Sequence, residues 1–279
     1  MQEEIVVKAP TTEALTPAQI TQKAEDLGVT KTEMSFGRSF ALSIMAGAFI
    51  AMGAMFFSLV VGDPALPFAI QRVLGGFLFC LGLILVVVAG AELFTGNTMI
   101  VMTAASKRIK WSAVWKNWIV VFFGNFLGAL VIVGLVFLSD MSAMNGGQVG
   151  QTMVSVAAGK MHADWLVLFA KGIMCNFLVC LGVWMAYASK TVADKILAVV
   201  FPITAFVACG FEHCVANMFF LPMGALLASC GIAPAGIDPA SVNMLGALYN
   251  WSATVPGNIV GGALMVGMVY WFIYRKKKN

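Results

Sequence analysis

Long stretches without a charged residue divide this chain, and their lengths suit helices rather than strands. Residues 39–62, between Arg38 and Asp63, form one such stretch, and residues 117–139, between Lys116 and Asp140, a second. Residues 165–189, broken only by Lys171, form a third, and residues 250–274, ending at Arg275, the last. A hydrocarbon core of about 30 Å takes roughly 20 apolar residues as helix, so each stretch reads as one crossing. Two further stretches, 73–105 and 196–229, are too long, since each would reach about 50 Å as a straight helix. Each also carries an acid and small residues at its middle, around Glu92 and Glu212. Interrupted spans fit both. The expectation is an all-α polytopic membrane protein with six transmembrane helices, the second and fifth broken.

Composition agrees with this reading. Of the 279 residues 60% are hydrophobic and 11% charged, against about 45–50% and about 25% in soluble domains. The 17 Lys and Arg exceed the 13 Asp and Glu, but four of the cations form one run, Arg275 to Lys278, directly after an apolar segment. That is no footprint for nucleic acid. The six Cys lie inside apolar stretches without a CxxC pair, which points to buried free thiols rather than a disulfide framework or a zinc site. No cofactor or metal is implied.

Lys107, Arg108, Lys110 and Lys116 fall in one inter-span loop, Lys190 and Lys195 in another, and four cations follow the last span. The loops of the opposite side hold only Arg72 and Lys160. The positive-inside rule then puts both termini in the cytoplasm. The first 35 residues are polar and lack the apolar core of a secretion signal. Within them Thr16-Pro17-Ala18-Gln19 reads as a capping box with Pro at the first helical position, and Gly28 offers a stop. Ile20, Ala24 and Leu27 share one face, so either a short surface helix or a loosely ordered tail is compatible. Residues 141–159, rich in Gly, Gln and Ser, read as an external loop.

The interruptions repeat. Gly90-Ala91-Glu92-Leu93-Phe94-Thr95-Gly96-Asn97 and Gly210-Phe211-Glu212-His213-Cys214-Val215-Ala216-Asn217 share Gly-x-Glu, four residues, then Asn. Asn117-Trp118 followed by Gly124-Asn125-x-x-Gly128 recurs as Asn250-Trp251 followed by Gly257-Asn258-x-x-Gly261. The halves are therefore near 36–138 and 163–274, and with three spans each they run in opposite directions. Paired interrupted helices in an inverted repeat point to a substrate path, because broken backbone is tolerated where it lines a cavity.

Glu92, Lys171, Glu212 and His213 are the ionisable groups deep in apolar sequence, where a charge costs on the order of 3 kcal/mol. His213 is suited to sharing a proton near neutral pH. Glu92 and Glu212 either border a path or tie the broken ends to neighbouring backbone amides. Asn97, Asn217 and Gly96 belong to the breaks themselves. Thr95 either donates to a passing anion or bonds back to a helix carbonyl. Asn176, at similar depth in the fourth span, offers amide hydrogens, and Lys160 either gathers anions or is an ordinary solvated lysine. Phe79, Leu83, Leu93, Phe94, Val179 and Phe206 either close a pore by dewetting or simply pack.

These residues together resemble the formate/nitrite transporter family. The signatures are Ala89-Gly90-Ala91-Glu92-Leu93-Phe94-Thr95-Gly96-Asn97, the run Cys175-Asn176-Phe177-Leu178-Val179-Cys180, the run Gly210-Phe211-Glu212-His213-Cys214-Val215-Ala216-Asn217, and Gly257-Asn258-Ile259-Val260-Gly261-Gly262, within similarity from about residue 10 to Tyr274. The resemblance implies an aquaporin-like fold assembled as a homopentamer with one pore per subunit, in the inner membrane of a prokaryote. It implies a central histidine at His213, a pore threonine at Thr95, an asparagine at Asn176 and a vestibule lysine at Lys160. Phe79 and Phe206 would form an outer slit, and Leu83, Leu93 and Val179 an inner one. Small monovalent anions of weak acids, with protons, would be the cargo. Gly96-Asn97 replaces the Ser and Thr or Ser usual in formate channels, and Lys171-Gly172 looks closer to the nitrite branch. Met218 to Gly224 looks formate-like, which favours formate over nitrite or hydrosulfide.

A water or glycerol facilitator would share the fold but needs two Asn-Pro-Ala boxes. Asp63-Pro64-Ala65 and Asp238-Pro239-Ala240 are the nearest, and both fall in loops. With His162 and His213 the only histidines and no HExxH or GxSxG, an intramembrane hydrolase has no machinery to use.

Overall fold

The computed structural model describes residues 13–275, so the basic tail beyond Arg275 lies outside the described residues. Helix α1 (Pro17–Glu33) opens as its sequence dictates: the Thr16 hydroxyl caps the Gln19 amide, and Gln19 reaches back to the Thr16 N–H. Gly28 does not stop it. A Cβ there would collide with the Thr103 hydroxyl, so this glycine lets α1 press onto the chain below rather than end. Beside it, Lys23 donates to the Tyr187 carbonyl at 2.7 Å and the Leu15 N–H to Ala188 at 3.3 Å, seating α1 on the end of the fourth span.

The first half continues with α2 (Phe36–Val61) and α3 (Phe68–Ile84), whose end widens into π-helical turns at Leu85–Gly90. The backbone then breaks: Gly90 takes φ +89° and Ala91 to Leu93 are extended. Helix resumes as α4 (Phe94–Asn97), passing through a tight turn at Thr98–Ile100 into α5 (Val101–Ala105). The third crossing is α6 (Trp111–Leu138).

Residues 148–161 are not the loop that their polarity suggests. Gln148–Met161 form α7, which does not cross but buries Val149, Met153, Val154, Ala157 and Met161. Its small and polar residues lie between those apolar ones, and Ala157 stands where a Cβ on Gly224 would sit. The second half then repeats the first: α8 (Trp165–Ala188), α9 (Val192–Ala208), a break at Gly210 with φ +72°, and α10 (Cys214–Ser229). The last crossing is α11 (Met244–Ile259), π-helical at Val260–Met268 and ending in α12 (Val269–Tyr274).

Among the described residues five helical segments are long and apolar enough to cross a membrane alone, and α9 with α10 supplies the sixth crossing in two pieces. Their outward faces are apolar: Phe68, Phe201, Leu138 and Phe272 are each more than 75% exposed. An exterior of this kind suits lipid, not water. The halves pack by one rule. In the first, Gly124 and Gly128 of α6 meet the backbone of Phe40 and Ile44 on α2; in the second, Gly257 and Gly261 meet Phe169 and Ile173 on α8. Glycine at these crossings replaces side-chain bulk with backbone contact, the usual device where lipid offers no hydrophobic drive.

Candidate functional site

Both breaks leave backbone groups unpaired, and one asparagine answers each. Asn125 donates to the carbonyls of Ser43 (2.7 Å) and Glu92 (2.9 Å) and accepts from the Phe94 N–H (2.9 Å). Asn258 does the same for Gly172 (2.8 Å), Glu212 (2.8 Å) and the Cys214 N–H (2.9 Å). Trp118 and Trp251 each add an indole N–H, to the carbonyls of Asn97 and Cys214. In an apolar surround each such group would otherwise be a net loss.

Behind each break lies a cluster of Lys, Glu and two Asn. Lys31 of α1 places its ammonium 2.8 Å from Glu92 Oε1 and 2.9 Å from Asn97 Oδ1. Asn97 donates to Glu92 Oε2 (2.7 Å) and Asn117 (2.9 Å). In the second half Lys160 of α7 straddles both Glu212 oxygens at 2.9 and 3.0 Å, while Asn217 donates to Glu212 Oε2 (2.7 Å) and Asn250 (2.8 Å). The match fails in one detail: Asn217 Oδ1 has no donor among the described residues, whereas its counterpart Asn97 Oδ1 holds Lys31. The acids therefore bond side chains, not the backbone amides that a purely structural tie would give them. Lys160, far from being a solvated loop residue, is drawn into the protein over the Phe220 ring.

Between the breaks sits His213, fully enclosed. Its Nδ1 accepts from the Ala216 N–H at 3.0 Å, capping α10, so the ring's hydrogen is assigned to Nε2. Nε2 lies 3.0 Å from Thr95 Oγ1, which thus faces the histidine rather than a helix carbonyl. Asn176 is turned otherwise than the sequence suggests. Its amide donates to the carbonyls of Thr95 (3.1 Å) and Asn258 (2.7 Å) and to Thr98 Oγ1 (3.2 Å), leaving no free hydrogen for a passing anion. It ties the breaks together.

A cavity of about 360 Å³ opens at the Lys160 end and reaches His213. Phe79 and Phe206 line it, their rings edge to face at 5.7 Å, with Phe206 stacked at 5.8 Å on the imidazole. Leu83, Leu93 and Val179 are buried and do not line this cavity. Phe94 packs against Trp118 and Phe122 of α6, at 6.2 and 5.3 Å, and so serves the core there rather than a constriction. Gly96 has open space beside it, with nothing nearer to an added Cβ than Val183 at 4.0 Å. Arg72 and Lys171 also line the cavity. Lys171 stands out in the sequence as an ionisable residue within an apolar span, whereas neither Arg72 nor Lys31 does. A signal for Lys31 did exist: it lies five residues before α2 begins, as Lys160 lies five before α8.

Six crossings in an inverted repeat, with broken helices meeting at a buried histidine, define a membrane channel fold. The description "formate/nitrite transporter" belongs to the family model that matches residues 18–272. The chain belongs to the formate/nitrite transporter family. It is 39% identical over 275 residues to the formate channel FocA of Escherichia coli strain K12, covering 95% of this chain and 96% of that one. It is also 39% identical over 264 residues to FocA of Haemophilus influenzae, covering 91% and 93%. Among solved structures, a pentameric formate channel with formate bound superposes with a TM-score of 0.77 at 37% identity, covering 86% of this chain and 98% of that one. An ion channel of the same family superposes at 0.80 with 27% identity, covering 91% and 98%.

Proposed function

We propose that this chain conducts formate, as a homopentamer with one pore per subunit, and that passage is proton-assisted at His213. The observation that carries the reading is the buried Thr95–His213 pair, placed where a cavity lined by cations ends between the two helix breaks. With Nε2–H directed at Thr95 Oγ1, the threonine's own hydrogen remains available to the carboxyl oxygen of a substrate entering between Phe79 and Phe206 as its charge is neutralised. Desolvation raises the affinity of a weak-acid anion for a proton. The anion takes that proton from the aqueous side, with the Nε2 hydrogen shared through Thr95 as the charge is neutralised. Phe79 and Phe206 would reject the bare ion, because dehydrating a charge is far costlier than dehydrating a neutral acid. The inner constriction is assigned to Leu83, Leu93 and Val179. The cation-rich loops at 106–116 and 189–195 support a cytoplasmic side for both termini, and the likeness to bacterial formate channels supports an inner-membrane location for the pentamer.

The test is uptake of labelled formate into proteoliposomes at two external pH values, with nitrite and hydrosulfide as competitors. Strong uptake that rises at low pH and resists both competitors is expected. Weak uptake abolished by a little nitrite or hydrosulfide would overturn formate as the cargo and make Gly96 and Lys171 the better guides. Detergent-solubilised protein is expected near the mass of five chains.

A further inference from the structure

The mouth at the Lys160 end contains a balanced charge pair and two unbalanced charges. Lys160 bonds both oxygens of Glu212, so at a few ångströms the two act on an incoming ion as a dipole, whose field fades faster than that of a net charge. Arg72 and Lys171 line the same cavity without such compensation. Arg72 donates Nε to the Ala208 carbonyl (2.9 Å) and Nη2 to Val207 (2.8 Å), both neutral acceptors at the end of α9. Among the described residues no carboxylate lies within 4.0 Å of the Lys171 ammonium, and its backbone carbonyl merely accepts from the Glu212 N–H at 3.3 Å. The inverted repeat sharpens the contrast. Leu42 occupies the place of Lys171, receiving the Glu92 N–H at 3.2 Å. Val192 stands where Arg72 would fall when Gly90 is aligned with Gly210. Two cations have thus been added to one mouth at positions that are apolar in the other half.

We infer that Arg72 and Lys171, rather than Lys160, collect anions at this mouth, and that the Lys160–Glu212 pair is a brace for the break. The inference rests on the reading that a small anion is the cargo. A cleft with low-dielectric walls focuses the field of unpaired charges and raises the local concentration of the opposite ion. Arg72 keeps Nη1 free for a planar oxyanion while its other donors hold the α9 end, and Lys171 is free to follow the ion inward.

Cys209, exposed and lining the same cavity beside Arg72, provides a readout independent of transport. In a Cys230→Ser background, which removes the other exposed thiol, the full-length protein is treated with an anionic (sulfonatoethyl) or a cationic (trimethylammonioethyl) methanethiosulfonate. Each forms a mixed disulfide by displacing methanesulfinate. The ratio of the two rates reports local potential and cancels the thiolate fraction. Lys171→Gln is expected to lower the anion-to-cation ratio about fivefold at low salt, and Lys171→Arg to preserve it. The effect is expected to shrink above about 0.5 M salt. The double variant Lys160→Gln/Glu212→Gln, which leaves net charge unchanged, is expected to leave the ratio within a factor of two. An unchanged ratio in Lys171→Gln, or a collapse in the paired variant, would overturn the assignment. Half-saturating anion concentration in proteoliposomes gives the second measure: it should rise severalfold in Lys171→Gln and return in Lys171→Arg, and the opposite pattern would count equally against the assignment. If the reagent ratio behaves as expected while no formate is carried, the collecting site stands and the formate reading falls.

Discussion

Replacing Asn258 by Ala removes the side chain that closes the second break. Three bonds go at once: to Gly172 O, to Glu212 O and from the Cys214 N–H, at 2.8, 2.8 and 2.9 Å. The Gly172 carbonyl lies inside α8 and keeps an intrahelical donor, so its loss is that of one interhelical bond, about 0.6 kcal/mol in membranes. The Glu212 carbonyl and Cys214 N–H sit in the break with no helical partner, and each becomes an orphan worth roughly 1–3 kcal/mol. The sum is about 3–7 kcal/mol. For a chain of this size that corresponds to a fall in midpoint of roughly 6–28 °C. The assay is the temperature at which detergent-solubilised oligomer leaves its size-exclusion peak, measured alongside flux. Asn125→Ala, the matched change in the first half, should lower the midpoint by a similar amount, since Phe94 N–H and Glu92 O are orphaned in the same way. A fall below about 3 °C with flux intact, in either variant, would refute the reasoning and mean that water satisfies the break without help.

Other outcomes follow from the same geometry. His213→Phe should lose pH-dependent uptake while assembling normally, because the lost cap on the Ala216 N–H is worth only about 1 kcal/mol; unchanged pH dependence would remove the histidine from the mechanism. Lys31→Met should destabilise by about 3–5 kcal/mol because it strands the buried Glu92 carboxylate, and adding Glu92→Gln should restore most of that in a thermal melt. Gly262→Ala drives a methyl into Thr98, Asn176 and Cys180 and should cost about 1–3 kcal/mol and most of the flux. The exposed Asp194 carboxyl is held below the ordinary carboxylate range, first by bonding to the Thr191 backbone and then to its side chain. A depressed carboxyl adds stability above its unfolded pKa and loses it as pH falls through the folded one. The midpoint gap between parent and Asp194→Asn should therefore be steady at neutral pH and close in acid.

The crossings could be read from sequence because each is a charge-free run of helical length, and lipid imposes that rule on backbone directly. The breaks could be read because Glu92 and Glu212 sit amid glycines where a continuous helix would not carry an acid. Asn125 and Asn258 announced the repeat through spacing from Trp118 and Trp251, residues that share their task. What escaped was whatever depends on a distant partner. Lys31 lies on a polar helix and resembles any solvated lysine until Glu92, 61 residues on, is brought to it. Helix α7 hid because its buried residues alternate with Gly, Gln and Ser, so composition spoke louder than periodicity. The depth of Asn176 in its span suggests a donor to the path, yet the direction of an amide is decided by acceptors on three other segments.

Counting Lys31 and Lys160 into the correspondence changes what the repeated unit is. It comprises a surface helix and three crossings, α1 to α6 in one copy and α7 to α12 in the other, each with its own lysine, acid, asparagines and tryptophan. The join is a short turn in which Asp140, Asn145, Gly146 and Gly147 all take positive φ, and it contributes nothing to either break. The two copies are related by an approximate two-fold axis lying in the membrane plane, on which position 213 matches position 93. Leucine at one and histidine at the other is where the copies part company, so a two-sided scaffold carries a path whose chemistry is one-sided.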